Sequence, residues 1–553
     1  MYDSLTAAYK QRKLFYLTLC LLNCLNPNPA LAAAKSVDIA IQGFVIEGNH
    51  VLTDAQLQAQ LLPFLGPGRR FADIQKALET LQQFYRDQGY GEAVVSVPAQ
   101  ELNAGIIRFS VIEPILADIH VEYQPESLRA FYPESKIRAN LPALQSGLLL
   151  RSVDISQNIQ LANENPARKM AVVLSPGADK TQLDATVKVS GLPPRKAYTT
   201  IDNTGTALTG EYRMGFGLQH ANLWGRDHVG TFNYITPIES PTHVNLFSGS
   251  YRIPLYGWGD SLDISAAKSD VGNSSTDTVA GPLQFAGSGE IYALNYNLLL
   301  PRWGEYSHRL VAGYNYRQFN NHCTIGVFGS QACGPSGHEI SLMPLSVNYS
   351  GQFSWQAQTL SFYLLGAHNL PGMAHGSQND FTQLRPALNG GGGAPAEYNV
   401  FRSGFNFNAL LVEDWQLRLA GNGQFSPDAL VYAEQFSLAG STMVRGFWER
   451  EVTRDTGFVL NNEIYGPDLA ELTKLGDHLR GLVFYDYGAG QNNALNGERK
   501  QALDLNSVGF GIRLGFNQSL QLKFDGSYVL SGAASHPDGD VRGHLSVYLP
   551  YSF

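Results

Sequence analysis

The feature that most constrains the fold is a two-residue hydrophobic period that runs from about residue 195 to the end of the chain. In the last segment, Leu545, Val547, Leu549, Tyr551 and Phe553 alternate with polar or small residues. Similar segments of about eleven or twelve residues recur upstream, and a bilayer crossed at a tilt requires about that strand length. A soluble sandwich seldom sustains the alternation so long. Residues 195–553 therefore predict a transmembrane β-barrel.

Sixteen strands are predicted in this region. An even number lets the last strand pair with the first. The predicted strands cover 196–205, 210–222, 228–238, 242–254, 260–270, 288–300, 307–320, 338–351, 355–368, 400–412, 414–427, 457–466, 479–488, 505–517, 519–531 and 541–553. The long connections alternate with short ones and lie at 271–287, 321–337, 369–399, 428–456 and 489–504. Outer-membrane barrels combine short periplasmic turns with long external loops in this way.

The composition excludes two other classes of protein. The 553 residues carry a formal net charge of −9, which excludes a strongly basic nucleic-acid binder. Beyond the first thirty-odd residues no run of about 18 apolar residues occurs, so a bundle of transmembrane helices is excluded as well.

Residues 1–34 have the basic start, short apolar run and small residues of a secretory signal peptide. An exported chain with this barrel belongs in a bacterial outer membrane.

Two cysteines remain after removal of the predicted signal peptide. Cys323 and Cys333 are ten residues apart on a predicted outer loop, and an exported chain favours a local disulfide between them. His322 lies beside them, but two thiols and one imidazole are weak evidence for a metal site.

The region before the barrel contains one arrangement of elements twice. Residues 39–113 predict the order β-α-α-β-β, with helices over 53–62 and 71–88. Residues 114–192 repeat that order, with a first helix through Ile137, Leu141 and Leu144. The fold class is therefore two α+β units followed by an all-β membrane domain.

Particular residues of the two units resemble a known domain. The first unit carries Gly48-Asn49, Tyr85, Gly89-Tyr90 and a closing Gly105…Val111-Ile112-Glu113, which are similar to the pattern of polypeptide-transport-associated (POTRA) domains. In the second unit, residues 161–168 (LANENPAR) and 174–177 (LSPG) resemble the second POTRA domain of two-partner secretion transporters, the TpsB family of haemolysin secretion and activation proteins.

The barrel carries two further motifs of that family. Val444-Arg445-Gly446-Phe447 lies in the long connection 428–456, and Phe484, Asp486 and Gly488 lie on one predicted strand. The resemblance implies that the loop folds into the lumen and that its arginine pairs with the aspartate. The strand period independently places Asp486 on the lumen side. The alternative is that Arg445 and Asp486 are ordinary solvated residues.

The chain end offers one more feature. Phe553 resembles the signal read by the outer-membrane barrel assembly machinery, and the alternative is a chance aromatic end to an amphipathic strand. About six residues separate the predicted signal peptide from the first strand near Ile41, too few for the plug helix common in this family. Either that helix is absent, or the signal peptide ends elsewhere.

The resemblance implies a function. A TpsB protein, expected here to be a monomer in the lipid bilayer, exports an unfolded TpsA-type exoprotein that its POTRA domains recognise. No catalytic motif, metal-binding spacing or cofactor signature is present, so neither an enzyme nor a nucleic-acid binder is expected. The alternatives are a barrel assembly factor of the same superfamily and a diffusion porin.

Overall fold

The computed structural model describes residues 38–553 except 102–104, 206–209, 242–243, 279–280, 326–337, 391, 499, 501 and 517–518. The predicted signal peptide lies outside the described residues. Among the helices that are described, none combines the length and the apolar character needed to cross a membrane.

Residues 39–114 form the first unit, a small sheet covered by two helices. Its elements are β1 (Ile39–Ile41), β2 (Gly43–Glu47), α1 (Asp54–Leu61), β3 (Gly66–Arg69), α2 (Phe71–Asp87), β4 (Val94–Ser96) and β5 (Ile106–Ile112). The main sheet has the order β2-β5-β4, with β2 and β5 parallel. Helix α2 buries Ile74, Ala77, Leu81 and Tyr85, which recur every three or four residues and so form one face.

The pattern residues of the first unit are determinants of its fold. Gly48 has a φ of +87°, and a β-carbon there would lie 2.3 Å from the backbone oxygen of Val111. The hydroxyl of the fully buried Tyr85 donates a 2.9 Å hydrogen bond to Glu113. Burial and this carboxylate raise the pKa of Tyr85. These residues join the helix layer to the closing strand.

The second unit repeats this topology. Its elements are β6 (Ile115–Gln124), α3 (Glu134–Ala139), α4 (Ser152–Ala162), β7 (Arg168–Pro176) and β8 (Gln182–Gly191), and the sheet order is β6-β8-β7. The predicted helix through Leu144 is wrong in length, because it ends at Ala139. Pro142 explains the early end, since proline cannot donate a hydrogen bond inside a helix. Leu141 and Leu144 still pack into the core from the following turns.

The rest of the chain is a closed antiparallel barrel of sixteen strands. They are β9 (Arg195–Asp202), β10 (Arg213–Leu223), β11 (His228–Pro237), β12 (Val244–Leu255), β13 (Asp260–Thr278), β14 (Gly281–Leu299), β15 (Tyr306–Ile325), β16 (Ile340–Leu342) with β17 (Pro344–Trp355), β18 (Gln358–Asn369), β19 (Asn399–Leu410), β20 (Gln416–Phe425), β23 (Thr456–Tyr465), β24 (His478–Gln491), β25 (Ala502–Phe516), β26 (Leu520–Ser531) and β27 (Val541–Ser552). The segments β16 and β17 both pair with β15 and form one interrupted strand. The last strand, β27, pairs with β9 and closes the barrel.

Short helices and strands lie in the connections between barrel strands. Helix α5 (Gln378–Leu384) follows β18, and helix α6 (Ala470–Thr473) follows β23. The two-residue strands β21 (Phe436–Ser437) and β22 (Thr453–Arg454) pair with each other between β20 and β23.

Two predicted outer loops are shorter than expected. Most of 271–287 is strand, because β13 and β14 continue as a hairpin to Thr278 and Gly281. The placement of Cys323 in a loop is wrong, since β15 extends to Ile325 and places Cys323 opposite Phe285 of β14. Backbone pairing extends these strands beyond the apolar period that signals membrane strands. Cys333 lies outside the described residues, so the disulfide stays a prediction.

Candidate functional site

The long connection between β20 and β23, residues 426–455, is called here the lumen loop. Its middle part is buried and apolar. This is unusual, because connections between strands normally run over the protein surface. The cluster that it forms with the barrel wall contains Leu438, Ala439, Val444, Phe447 and Val452 of the loop and Val459, Leu505 and Val529 of β23, β25 and β26. The loop therefore folds back into the barrel and packs against the inside of its wall.

Arg445 of the lumen loop is bound to Asp486 of β24 through two nitrogens on one edge of its guanidinium group. Nε lies 2.7 Å from Oδ2 of Asp486, and Nη2 lies 2.8 Å from Oδ1. The backbone N–H of Arg445 also donates to Oδ2 at 3.1 Å. Arg445 is 3% exposed and Asp486 is fully buried. Planar bidentate pairing of this kind holds both position and orientation.

Arg445 also contacts carboxylates on two other strands. Its Nη1 lies 3.0 Å from Oε1 of Glu463 on β23 and 3.6 Å from Oδ2 of Asp525 on β26. The guanidinium group stacks over the ring of Phe484 with its carbon 3.5 Å from the ring centroid. This cation–π contact adds to the ionic ones.

The charges of this cluster balance. Arg418 of β20 pairs with Glu463 at 3.0 Å, and Arg513 of β25 pairs with Asp525 at 2.8 Å. Three arginines thus face three carboxylates on the lumen side of the wall. A buried charge is stable only with such a partner, so the loop arginine completes a network that the wall cannot satisfy alone.

The other residues of the loop motif each meet the wall at a separate place. The N–H of Gly446 donates to Nε2 of His544 on β27 at 3.0 Å. Gly446 has a φ of +104°, and a β-carbon there would lie 3.0 Å from Val529. A β-carbon at Gly488 would lie 2.8 Å from Val444, so Gly488 makes room for the loop. Phe447 is fully buried.

Two further carboxylates hold the lumen loop near its ends. Glu434, 2% exposed, lies 2.7 Å from Nη2 of Arg317 on β15 and 3.3 Å from Nη2 of Arg402 on β19. Asp455 is fully buried and accepts two bonds of 2.8 and 2.9 Å from Nη1 of Arg385, which directly follows helix α5. The loop is therefore held at three levels.

Sequence reasoning found the central pair and missed its surroundings. The period of β23 places Glu463 on the lumen side, opposite the exposed Phe458 and Ile464. The same two-residue period identifies every charged strand residue that faces the lumen. It does not show which of these residues lie at the height of Arg445. Glu434 and Asp455 lie in the loop and have no comparable signal.

Phe553 is not part of this cluster. Its backbone N–H donates to the oxygen of Arg195 at 3.0 Å, beside the seam between β27 and β9. Its ring stacks on Tyr551 with centroids 5.8 Å apart and is about half exposed, at 49%. A role as an assembly signal stays a prediction.

Comparison with known proteins gives matches over nearly the whole described chain. Residues 180–514 match the family of haemolysin secretion/activation proteins ShlB/FhaC/HecB, and residues 39–114 match the ShlB-type POTRA domain. The outer membrane transporter CdiB of Dickeya dadantii is 23% identical over 79% of this chain and 75% of its own length. The heme/hemopexin transporter HuxB of Haemophilus influenzae is 20% identical, over 88% and 81%.

Solved structures agree on the fold. CdiB from Escherichia coli superimposes with a TM-score of 0.76 at 19% identity and covers 95% of this chain and 93% of that one. CdiB from Acinetobacter baumannii gives 0.70 at 16% identity, with 99% and 98% covered. The family match extends over more than half of the chain, including most of the barrel with the lumen loop. The protein belongs to the ShlB/FhaC/HecB family of haemolysin secretion/activation proteins and is an outer-membrane transporter of two-partner secretion, with its POTRA domain in the periplasm.

Proposed function

We propose that this transporter binds an unfolded exoprotein of the TpsA type at its periplasmic units and passes it through the barrel to the cell surface. The observation that supports this most is the lumen loop, which obstructs the pore and is held, in the part of the chain described, by ionic, hydrogen-bond and apolar contacts. Such noncovalent contacts break and re-form without any covalent change. A loop that closes the pore and moves aside for a passing chain needs contacts of this kind.

The second unit offers an edge at which an extended chain can bind. Strand β7 pairs with β8, and no other described strand lies on its outer side. The side chain of Asn163 bonds the N–H and the C=O of Met170 at 2.6 and 2.9 Å on that side. Because strand bonds alternate, the backbone groups of Val172 and Leu174 point outward as well. A strand added there gains affinity from backbone bonds with little demand on its sequence.

Transport then requires the lumen loop to move aside. Displacing it breaks the contacts of Arg445, Glu434 and Asp455 together, so release of the central pair alone does not free the loop. Binding of the substrate on the periplasmic side and its folding outside supply the free energy. Folding outside also prevents the chain from returning.

The test is a secretome comparison of four strains: wild type, an in-frame deletion, Arg445→Ala and the control Arg480→Ala. Arg480 also faces the lumen, but its pair with Asp414 lies at the periplasmic end and is partly exposed. We expect one large exoprotein to disappear in the deletion and to decrease with Arg445→Ala, while Arg480→Ala behaves as wild type.

Two results contradict the proposal. If many outer-membrane proteins decrease together and no single exoprotein is lost, the protein is a barrel assembly factor. If only the uptake of small solutes changes, it is a diffusion porin.

A further inference from the structure

The segment 163–168 of the second unit is called here the docking segment, and apart from Asn163 its residues have no role in the mechanism above. It belongs to the motif that resembles the second POTRA domain, and it connects α4 to the edge strand β7. Apart from the exposed Pro166, its residues are buried or half-buried, whereas a substrate-binding loop would be open to solvent. Three of them contact the barrel instead.

Arg168, the first residue of β7, is 1% exposed and forms an ion pair with Asp227. Asp227 lies in the turn between β10 and β11, has a φ of 60° and is 5% exposed. Its Oδ2 also accepts from Asn140 of the second unit at 2.5 Å and from Tyr256 at 2.8 Å. Tyr256 belongs to the next turn on the same side of the barrel. One carboxylate oxygen thus joins the second unit to two barrel turns.

Two other residues of the docking segment contact different parts of the mouth. Nδ2 of Asn165 donates to the backbone oxygen of Ala221 at 2.7 Å. Glu164 lies 3.0 Å from Arg252 and 2.8 Å from Arg309, on strands β12 and β15. Both arginines occupy lumen-facing positions, so Glu164 lies at the entrance of the pore.

Neighbouring contacts strengthen this junction. Nε2 of Gln157 in α4 donates to the oxygen of Leu299 at 3.0 Å, and Gly259 makes room for it, since a β-carbon there would lie 2.7 Å from the same nitrogen. Nδ2 of Asn222 donates to the oxygen of Phe131 at 2.8 Å. The second unit is therefore bonded to Asp227 and Tyr256 in two successive periplasmic turns and to Leu299 at the end of β14.

We propose that the docking segment fixes the second unit to the barrel mouth and that Arg168 is a positioning residue for transport. Because β7 begins at Arg168, the pair with Asp227 holds the open strand edge in a constant relation to the pore entrance. An exoprotein strand added to β7 is then delivered toward Glu164 and the lumen. This role rests on the proposed function, whereas the rigid docking does not.

The test uses the full-length protein in nanodiscs, in a cysteine-free background with spin labels at the exposed positions 146 and 356. Electron–electron resonance measures the distance between the second unit and a periplasmic turn. The variants are Arg168→Met, Asp227→Asn, the double variant, and the milder Asn165→Ala. The control is Arg302→Met, which removes the exposed ion pair between Arg302 and Glu305 in a periplasmic turn. Heat-modifiable migration reports whether the barrel has folded.

We expect the distance distribution to broaden about twofold or more in each single charge variant, because the remaining charge is buried without its partner. The double variant broadens less than either single variant, and the control resembles wild type. We expect secretion to decrease about tenfold or more, because a chain bound at a mobile edge is no longer held in line with the pore entrance. Binding of the urea-denatured exoprotein found in the secretome comparison stays within about twofold of wild type, because the edge of β7 is unchanged.

If the distances between the two spin labels are unchanged in all the variants that fold, Asn165→Ala included, the docking proposal is overturned. Broadened distances with normal secretion overturn the positioning role. Lost binding of the denatured exoprotein places Arg168 in substrate recognition, which also contradicts it. If the wild type secretes no exoprotein, the proposed function fails, and the distance measurement still decides whether the unit is docked.

Discussion

Removal of the loop arginine is the most decisive perturbation of the lumen site. Arg445→Ala takes one positive charge from a cluster of three arginines and three carboxylates. Asp486 and Glu463 lose contacts of 2.7 to 3.0 Å, and Asp486 is fully buried. Breaking a buried ion pair on one side costs about 3–5 kcal/mol. Water in the lumen reduces this penalty, so about 3 kcal/mol is the working value.

The expected result is a leakier pore. At about 1.4 kcal/mol for each factor of ten, the displaced state of the lumen loop gains about a hundredfold in population. Conductance of the purified protein in planar bilayers measures this as the fraction of time spent open. Arg480→Ala is the matched control, since it also removes a lumen-facing arginine. Its partner Asp414 is exposed, and an ion pair screened by water contributes little.

A double variant tests whether the pair itself is responsible. In Arg445→Ala/Asp486→Ala the wall keeps two arginines and two carboxylates, so the charges balance again. We expect this variant to open less than the sum of the two single effects, as coupled neighbours do. If folded Arg445→Ala opens no more than Arg480→Ala, the reasoning about the cluster is refuted.

Three further predictions concern other contacts. Glu434→Gln removes the partner of two barrel arginines, so we expect the lumen loop to be cut at least several times faster in limited proteolysis, with equal rates contradicting the anchor. Gly48→Ala forces a β-carbon against the backbone oxygen of Val111, so the first unit should lose about 2 kcal/mol or more and melt earlier in calorimetry of the full chain; an unchanged transition refutes this. Asp468 accepts backbone N–H groups that lower its pKa to about 2, so its stabilising effect is present above 3.8 and lost as the pH falls through 2; carboxyl NMR shifts titrating near 3.8 contradict it.

The sequence was sufficient for the barrel and for its inward-facing aspartate. A period of two assigns each side chain to lipid or lumen without knowledge of its neighbours, and Asp486 is buried as that period requires. Parity of the connections also placed the motif of Arg445 on a long outer loop. The sequence was not sufficient where strands continue to pair after the alternation of apolar residues has ended. Cys323 is an example, because its strand β15 extends past the predicted end.

Helix patterns were similarly informative in the periplasmic region. The face of α2 recurs every three or four residues, and its bounds are close to those predicted. The helix α3 was predicted too long, because apolar residues after Pro142 keep a helical spacing while packing from turns. The spacing of the apolar residues shows which of them are buried. It predicts a helical backbone correctly only where no helix-breaking residue such as proline interrupts the segment.

What the sequence alone determined is the two repeated units, the closed barrel and the face on which each strand residue lies, because these follow from local periods. What only the tertiary structure decided is which inward residues lie at one height and which turns meet the second unit. Glu463, Asp525 and His544 meet the lumen loop because the stagger of the closed barrel brings them level with it. Arg168 reaches Asp227 across 59 residues for the same kind of reason, and no local period encodes such a distance.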